Sequence, residues 1–207
     1  MEFTRPVEAI ISGIPGRVLG ALARVDSELS LRDVARVSSS SPAQTSRVLQ
    51  RFVDLGLVVR RDVPPAALFR LVPDNLVTEM IRDLSTLRAR VTAKMRRDAA
   101  HIQPAPTALV LYGSFVRGHA GMDSDIDVLV VRPDAVSAEN ADWESSLEDW
   151  RRAAAAAAGN SVEILEVGTS ELRELLANPE GVWLAIASDG VAILGPSIGA
   201  FVAHPTH

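Results

Sequence analysis

The chain has 207 residues, 47% of them hydrophobic and 23% charged, enough for one large domain or two small ones and too apolar for a disordered chain. It contains no cysteine, which excludes disulfide frameworks, thiolate zinc sites, iron–sulfur clusters and cysteine nucleophiles together. Its first residues, MEFTRPVEAIISG, lack the pattern of a signal peptide, and no apolar run reaches the roughly 18–20 residues of a membrane span, so the expectation is a soluble cytoplasmic protein with no membrane partner.

The net charge of −5 hides a segregation along the chain. Residues 1–75 carry 10 basic and 8 acidic side chains, residues 76–104 carry 6 and 3, and residues 105–207 carry 5 and 15. The slightly basic front half suits contact with polyanions, and the strongly acidic back half suits the collection of cations.

From Pro15 the pattern is helical, with Val18, Leu19, Leu22 and Val25 on one face. Ser30 caps a short helix from Leu31 to Val37, and the serine run 38–41 turns the chain. A helix over 42–55 then places Val48, Leu49, Phe52, Val53 and Leu55 inward, with Gln44, Thr45, Ser46, Arg47 and Arg51 outward. Gly56 ends it, and two short strands, 57–61 and 67–72, are joined by the turn at Val63-Pro64-Pro65. This order, over roughly residues 14–73, resembles the winged helix-turn-helix family. The resemblance implies a module for double-stranded DNA in which Gln44, Thr45, Ser46, Arg47 and Arg51 make base and phosphate contacts in the major groove. Arg60, Arg61 and Arg70, on or near the wing, are then phosphate contacts. The same fold also serves as a protein–protein module.

Residues 74–100 read as one long helix, opened by Asp74 or Asn75, with Val77, Met80, Ile81, Leu84, Leu87, Val91 and Met95 spaced by threes and fours. Such a stripe fits a homodimer seam and equally a helix packed on two flanking domains; a homodimer is the expectation. Pro104 and Pro106 mark its end. The chain is therefore expected to be of the α+β class, with domains at 1–74 (winged helix), 75–104 (linking helix) and 105–207, an α/β domain with a small mixed sheet.

The strongest signal is ALVLYGSFVRGHAGMDSDIDVLVV, residues 108–131. Ala108 to Tyr112 is a short apolar strand, Gly113-Ser114 begins a helical turn, and Ile126 to Val131 is a second buried strand. Asp125 and Asp127 stand two apart at its mouth, so alternation points both carboxylates to one side, their backbones about 6–7 Å apart. Acids so placed repel one another unless they share divalent cations, and two-metal sites hold their ions about 3.5–4 Å apart. Gly113 lets a phosphate approach the backbone, while Ser114 and the helix start offer donors. Arg117, one turn on, reaches the same phosphates or pairs with Asp123 or Asp125. Trp143 and Trp150 read as core anchors of a helix whose alanine run, 153–158, stops at Gly159-Asn160.

Gly-Ser, ten intervening residues, then Asp-Ile-Asp resembles the nucleotidyltransferase superfamily that includes DNA polymerase beta, most closely its minimal nucleotidyltransferase branch. The resemblance implies that Asp125 and Asp127 hold two magnesium ions and that Gly113 and Ser114 hold the nucleotide phosphates; Arg117 and Ser124 are further nucleotide-binding candidates. It also implies a third acid on a later strand, helping to bind metal and taking the proton from the attacking hydroxyl. In SVEILEV, 161–167, that position is Glu163, a glutamate where the family usually has aspartate; Glu166 lies on the other face. The expected function is metal-dependent transfer of a nucleoside monophosphate from a nucleoside triphosphate to a hydroxyl acceptor. The alternative is a DNA-binding transcription regulator whose transferase-like domain only senses nucleotide or mediates assembly.

Overall fold

The computed structural model describes residues 1–202; the end of the expected C-terminal domain, 203–207, lies outside the described residues. The chain divides into two compact units between Leu87 and Arg88, with Met1 and Phe3 belonging to the second.

The first unit runs α1 (Pro6–Ile10), α2 (Gly13–Ala23), β1 (Leu29–Ser30), α3 (Leu31–Val37), α4 (Pro42–Asp54), β2 (Val58–Val63), β3 (Ala66–Leu71) and α5 (Leu76–Ser85). The two helices of the central pair start as the sequence requires. The Ser30 hydroxyl accepts from the Asp33 N–H at 3.2 Å, and Ser41, followed by Pro42 at the first helical position, accepts from the Gln44 N–H at 3.3 Å. The wing hairpin pairs Val63 with Ala66, and β1 joins its β3 edge to give the order β1-β3-β2. Val18, Leu19 and Leu22 meet Val34, Leu49, Phe52, Val58, Phe69, Leu71 and Ile81 in one core. Two residues expected inward are not: α2 ends at Ala23, leaving Val25 exposed, and Leu55 follows the end of α4 and is also exposed.

Thr45 corrects the reading of α4. It is fully buried, and its hydroxyl lies 2.8 Å from Ser40 Oγ, which lies 2.6 Å from Ser38 Oγ. The serine run is thus a chain of hydroxyls that satisfies a buried polar side chain, and Thr45 is withdrawn from the outer face.

Residues 75–104, expected as one helix, form two. The Thr86 hydroxyl donates to the carbonyls of Arg82 and Asp83 at 3.3 and 3.0 Å, and the Ser85 hydroxyl donates to Arg82 at 2.7 Å. These side chains take up carbonyls at the end of α5, so the helix stops there. The apolar stripe is divided accordingly: Ile81 is buried in the first unit, Val91 and Met95 in the second, and Val77 and Met80 remain exposed. Gln103 to Pro106 is a connection inside the second unit, not a boundary.

The second unit runs α6 (Leu87–Ala99, from Arg88), β4 (Ala108–Tyr112), α7 (Gly113–Arg117), β5 (Ile126–Arg132), α8 (Ala141–Ala158), β6 (Val162–Gly168), α9 (Thr169–Ala177), α10 (Val182–Asp189), β7 (Val191–Leu194) and α11 (Ile198–Val202). Its sheet has the order β6-β5-β4-β7. The β5–β6 pair is parallel and the others antiparallel, which is the small mixed sheet expected. One face packs on α9, α10 and α11 through Val110, Leu129, Val131 and Val167 against Leu172, Leu176, Ile186 and Phe201. On the other, the Trp143 indole donates to Glu166 at 3.2 Å and the Trp150 indole to the Met95 carbonyl at 3.2 Å. Both tryptophans are core anchors, as their spacing implied. Among the described residues no helix is long and apolar enough to cross a membrane.

Candidate functional site

Alternation along β5 sends Ile126 and Val128 into the α8 side, while Asp127 shares a face with Leu129 and Val131 at the end of the apolar surface that α9–α11 cover. In the sheet register Asp127 lies between Tyr112 of β4 and Glu163 of β6, so the two acids are cross-strand neighbours on one face. Asp125 sits just before the strand, two residues ahead, and its Oδ1 accepts from the Ser161 hydroxyl. Asp127 is half-buried, whereas Asp125 and Glu163 are exposed.

Gly113 is required twice over. Its φ is +74°, in the left-handed region, and a Cβ placed on it would lie 2.2 Å from Asp127 Oδ2. The Gly-Ser turn and the paired acids, distant in sequence, are therefore packed against each other with no room for a methyl group. Burial pushes the Asp127 carboxyl above the usual range, and the negative charges of Asp125 and Glu163 push it further, against the pull of Arg117. The Tyr112 hydroxyl is also raised, by burial and then by the charge of Asp127.

Arg117 does not pair with Asp123 or Asp125. Its guanidinium bonds Asp189 at the end of α10, 3.1 Å away, and Asp189, held by the Ser188 hydroxyl and by Arg117, is lowered in turn. Ser124 is turned into its own loop: its hydroxyl accepts from the Gly121 N–H at 3.0 Å, so the expectation that it faces nucleotide is not supported. Glu166 faces α8 and bonds Arg132 at 2.7 Å, which leaves Glu163 as the third acid of this face.

A residue the sequence reading treated only as part of a helix stop organises the approach to Asp125. Asn160 is buried, and its amide donates to the carbonyls of Gly121, Met122 and Ser124 at 3.2, 3.4 and 2.8 Å. Replacing it by alanine leaves those carbonyls without their partner, which costs about 1–3 kcal/mol. Asn160→Ala is expected to lower the melting temperature and to loosen residues 121–125, read by amide hydrogen exchange.

The donor set fits a divalent cation. Asp125, Asp127 and Glu163 are hard oxygen donors on one face, and the like-charge pressure on Asp127 is what a cation relieves. They are not gathered into a closed cluster: among the described residues no three His, Asp or Glu side chains stand together so as to hold an ion. Asp127 and Glu163 are cross-strand neighbours, but the expected convergence of three acids on a common point is not seen among the described residues.

In the first unit, α4 exposes Gln44, Ser46, Arg47 and Arg51. Arg60 on β2 pairs with Asp62 at 2.9 Å, and Arg61 makes a two-pronged bond with Glu28, which holds that carboxyl below its usual range. Arg70 is exposed on β3. The outer face of α4 therefore carries unburied polar and basic side chains, while the two arginines of β2 are tied to acids.

Residues 93–173 match the family described as the nucleotidyltransferase domain, and residues 11–67 match the MarR family. No curated protein matches the chain. Among solved structures, the chain is similar to a mutant of the toxin–antitoxin MntA-HpeT, 16% identical over 53% of this chain and 79% of that one, with a TM-score of 0.37. It is similar to a toxin–antitoxin structure with AMP-PNP, 19% identical over 54% and 78%, TM-score 0.35. A third is TrmBL2, an archaeal chromatin protein, 18% identical over 88% of this chain and 73% of that one, TM-score 0.30.

Proposed function

We propose that this chain, which joins a MarR-family winged helix to a nucleotidyltransferase domain, transfers a nucleoside monophosphate from a nucleoside triphosphate to a hydroxyl acceptor and binds double-stranded DNA through its first unit. The observation that carries the transferase reading is Asp127 pressed against Gly113 with Asp125 and Glu163 charging the same face. Asp125, Asp127 and Glu163 are the residues to hold magnesium. A divalent ion held there would neutralise triphosphate charge and make the α-phosphorus more electrophilic. Gly113 leaves its backbone open to the phosphate tail, and the Ser114 hydroxyl and the Arg117 guanidinium orient the β- and γ-phosphates. Glu163 takes the proton of the acceptor hydroxyl; the acceptor oxygen bonds the α-phosphorus as the bridge to the β-phosphate breaks and pyrophosphate leaves. Turnover of labelled triphosphate with magnesium, wild type against Asp127→Asn, tests this reading.

The exposed outer face of α4 supports the DNA reading, with Gln44, Ser46, Arg47 and Arg51 as the contacting set. Affinity for a duplex is expected to fall with salt by a slope of about −0.9 per phosphate neutralised. Arg47→Ala should reduce that slope by about one phosphate, if its contact is to the backbone; a salt-independent affinity removes the DNA assignment. The exposed row Leu76, Val77 and Met80 on α5 supports a homodimer. An exposed Glu163 in place of the usual aspartate favours a second reading, a DNA-binding regulator whose transferase-like unit binds nucleotide as a signal; nucleotide-dependent DNA affinity without pyrophosphate release distinguishes it.

A further inference from the structure

The helix α7 is five residues long, Gly113–Arg117, too short to hold itself by its own hydrogen bonds. A cavity of about 290 Å³ lies along it, lined by Arg88, Thr92, Arg96, Leu111, Phe115 and Val116, so close packing does not fix this side of it either. Besides the Arg117–Asp189 pair at its end, two residues from elsewhere in the chain brace it. The Phe3 ring meets the Phe115 ring edge to face, centroids 4.9 Å apart, and its N–H donates to the Ala120 carbonyl at 3.1 Å. The Arg88 guanidinium donates to the carbonyls of Phe115 and Val116 at 3.3 and 3.1 Å. These carbonyls belong to the negative end of the helix, where a cation is favourable. Gly118 makes the room: a Cβ there would stand 2.6 Å from Arg88 Nη1.

Phe3 and Arg88 are also the residues at which the second unit takes up the chain, since the first unit holds Glu2 and Thr4 to Leu87. Both passages of the backbone into the second unit thus end on α7. We propose that Phe3 and Arg88 are positioning residues: they fix the pose of α7 and so hold Gly113 and Ser114 against Asp127 for the phosphate tail. The inference rests on the transferase reading above for its ligand, though not for its geometry. A misplacement of about 1 Å at a reacting centre costs on the order of 100-fold, and loosening α7 acts one step removed from that centre.

The test uses the full chain and a non-hydrolysable nucleoside triphosphate with magnesium. Phe3→Ala and Arg88→Ala are each expected to weaken binding by about tenfold, a part of the loss that direct misplacement brings. KM for the hydrolysable triphosphate should rise more than kcat falls, and ligand-free amide exchange at residues 114–118 should accelerate. Phe3→Leu, which keeps the ring's volume in apolar form, and Arg88→Lys, which keeps a donor at the carbonyls, should recover most of the affinity; they also serve if an alanine variant fails to fold. Wild-type affinity in both alanine variants overturns the proposal. If the wild-type protein binds no triphosphate, the transferase reading falls by itself, and the exchange measurement then decides this inference, unchanged rates at 114–118 overturning it.

Discussion

Asp127→Asn is expected to reduce turnover of labelled triphosphate by at least the order of 10²–10³ that loss of one preorganised electrostatic group costs, while leaving the fold intact. Asparagine keeps the shape of the side chain, so the packing against Gly113 survives. What it removes is charge. The carboxyl of Asp127 is raised by burial and by Asp125 and Glu163, so its contribution to stability is fully present below the ordinary aspartate range and is lost as pH rises through the raised value. Once ionised, the group is a cost to the folded state, and the variant should melt no lower than the wild type in chelator. Magnesium should then raise the melting temperature of the wild type, because a ligand of the folded state stabilises it by mass action, and should raise that of the variant much less. A variant as active as the wild type would end the transferase assignment.

The second large effect belongs to a position with no side chain. Gly113→Ala places a methyl 2.2 Å from Asp127 Oδ2 and 3.1 Å from its Cγ, on a backbone with φ of +74°. The left-handed conformation alone costs an L-residue roughly 1–2 kcal/mol. The contact cannot be relieved without moving the Asp127 carboxylate, and a displacement of about 1 Å there costs on the order of 100-fold in rate. Gly159→Ala is the control within the same unit: its φ is +71°, but its added Cβ meets only the Met1 side chain at an ordinary 3.6 Å. The two variants are expected to lose comparable stability in thermal melts, and only Gly113→Ala is expected to lose turnover. Equal activity in both would show that Asp127 need not stand where it does.

The central features were legible because each rests on local pattern. The Gly-Ser turn and the apolar strands around it are local patterns, and alternation along the strand is enough to put Asp127 beside Tyr112 and Glu163. Serine caps and a proline turn fixed the helix pair and the wing hairpin in the same way. What could not be read depends on partners far along the chain. Arg117 finds Asp189, 72 residues away, and Arg61 finds Glu28 across 33; no spacing rule pairs them. Thr45 has the polarity of an outer residue, and only the hydroxyl of Ser40 makes its burial affordable. The stop at Thr86 was hidden by an apolar stripe that continues through it, because periodicity records which face is apolar and not whether one core or two will receive it. The departure at Ser124 has the same origin: its neighbours in the folded loop, Gly121 and Asn160, are set by the return of a later segment.

Because Phe3 and Arg88 both touch Phe115, the second unit is discontinuous in sequence, drawing on Met1 and Phe3 as well as on the chain from Arg88 onward. Cutting the chain ahead of Arg88 would strip this unit of the ring that packs on Phe115. Excising residues 4–87 and joining the flanks through a short glycine-serine bridge is the cut that keeps both Phe3 and Arg88 in the unit they belong to.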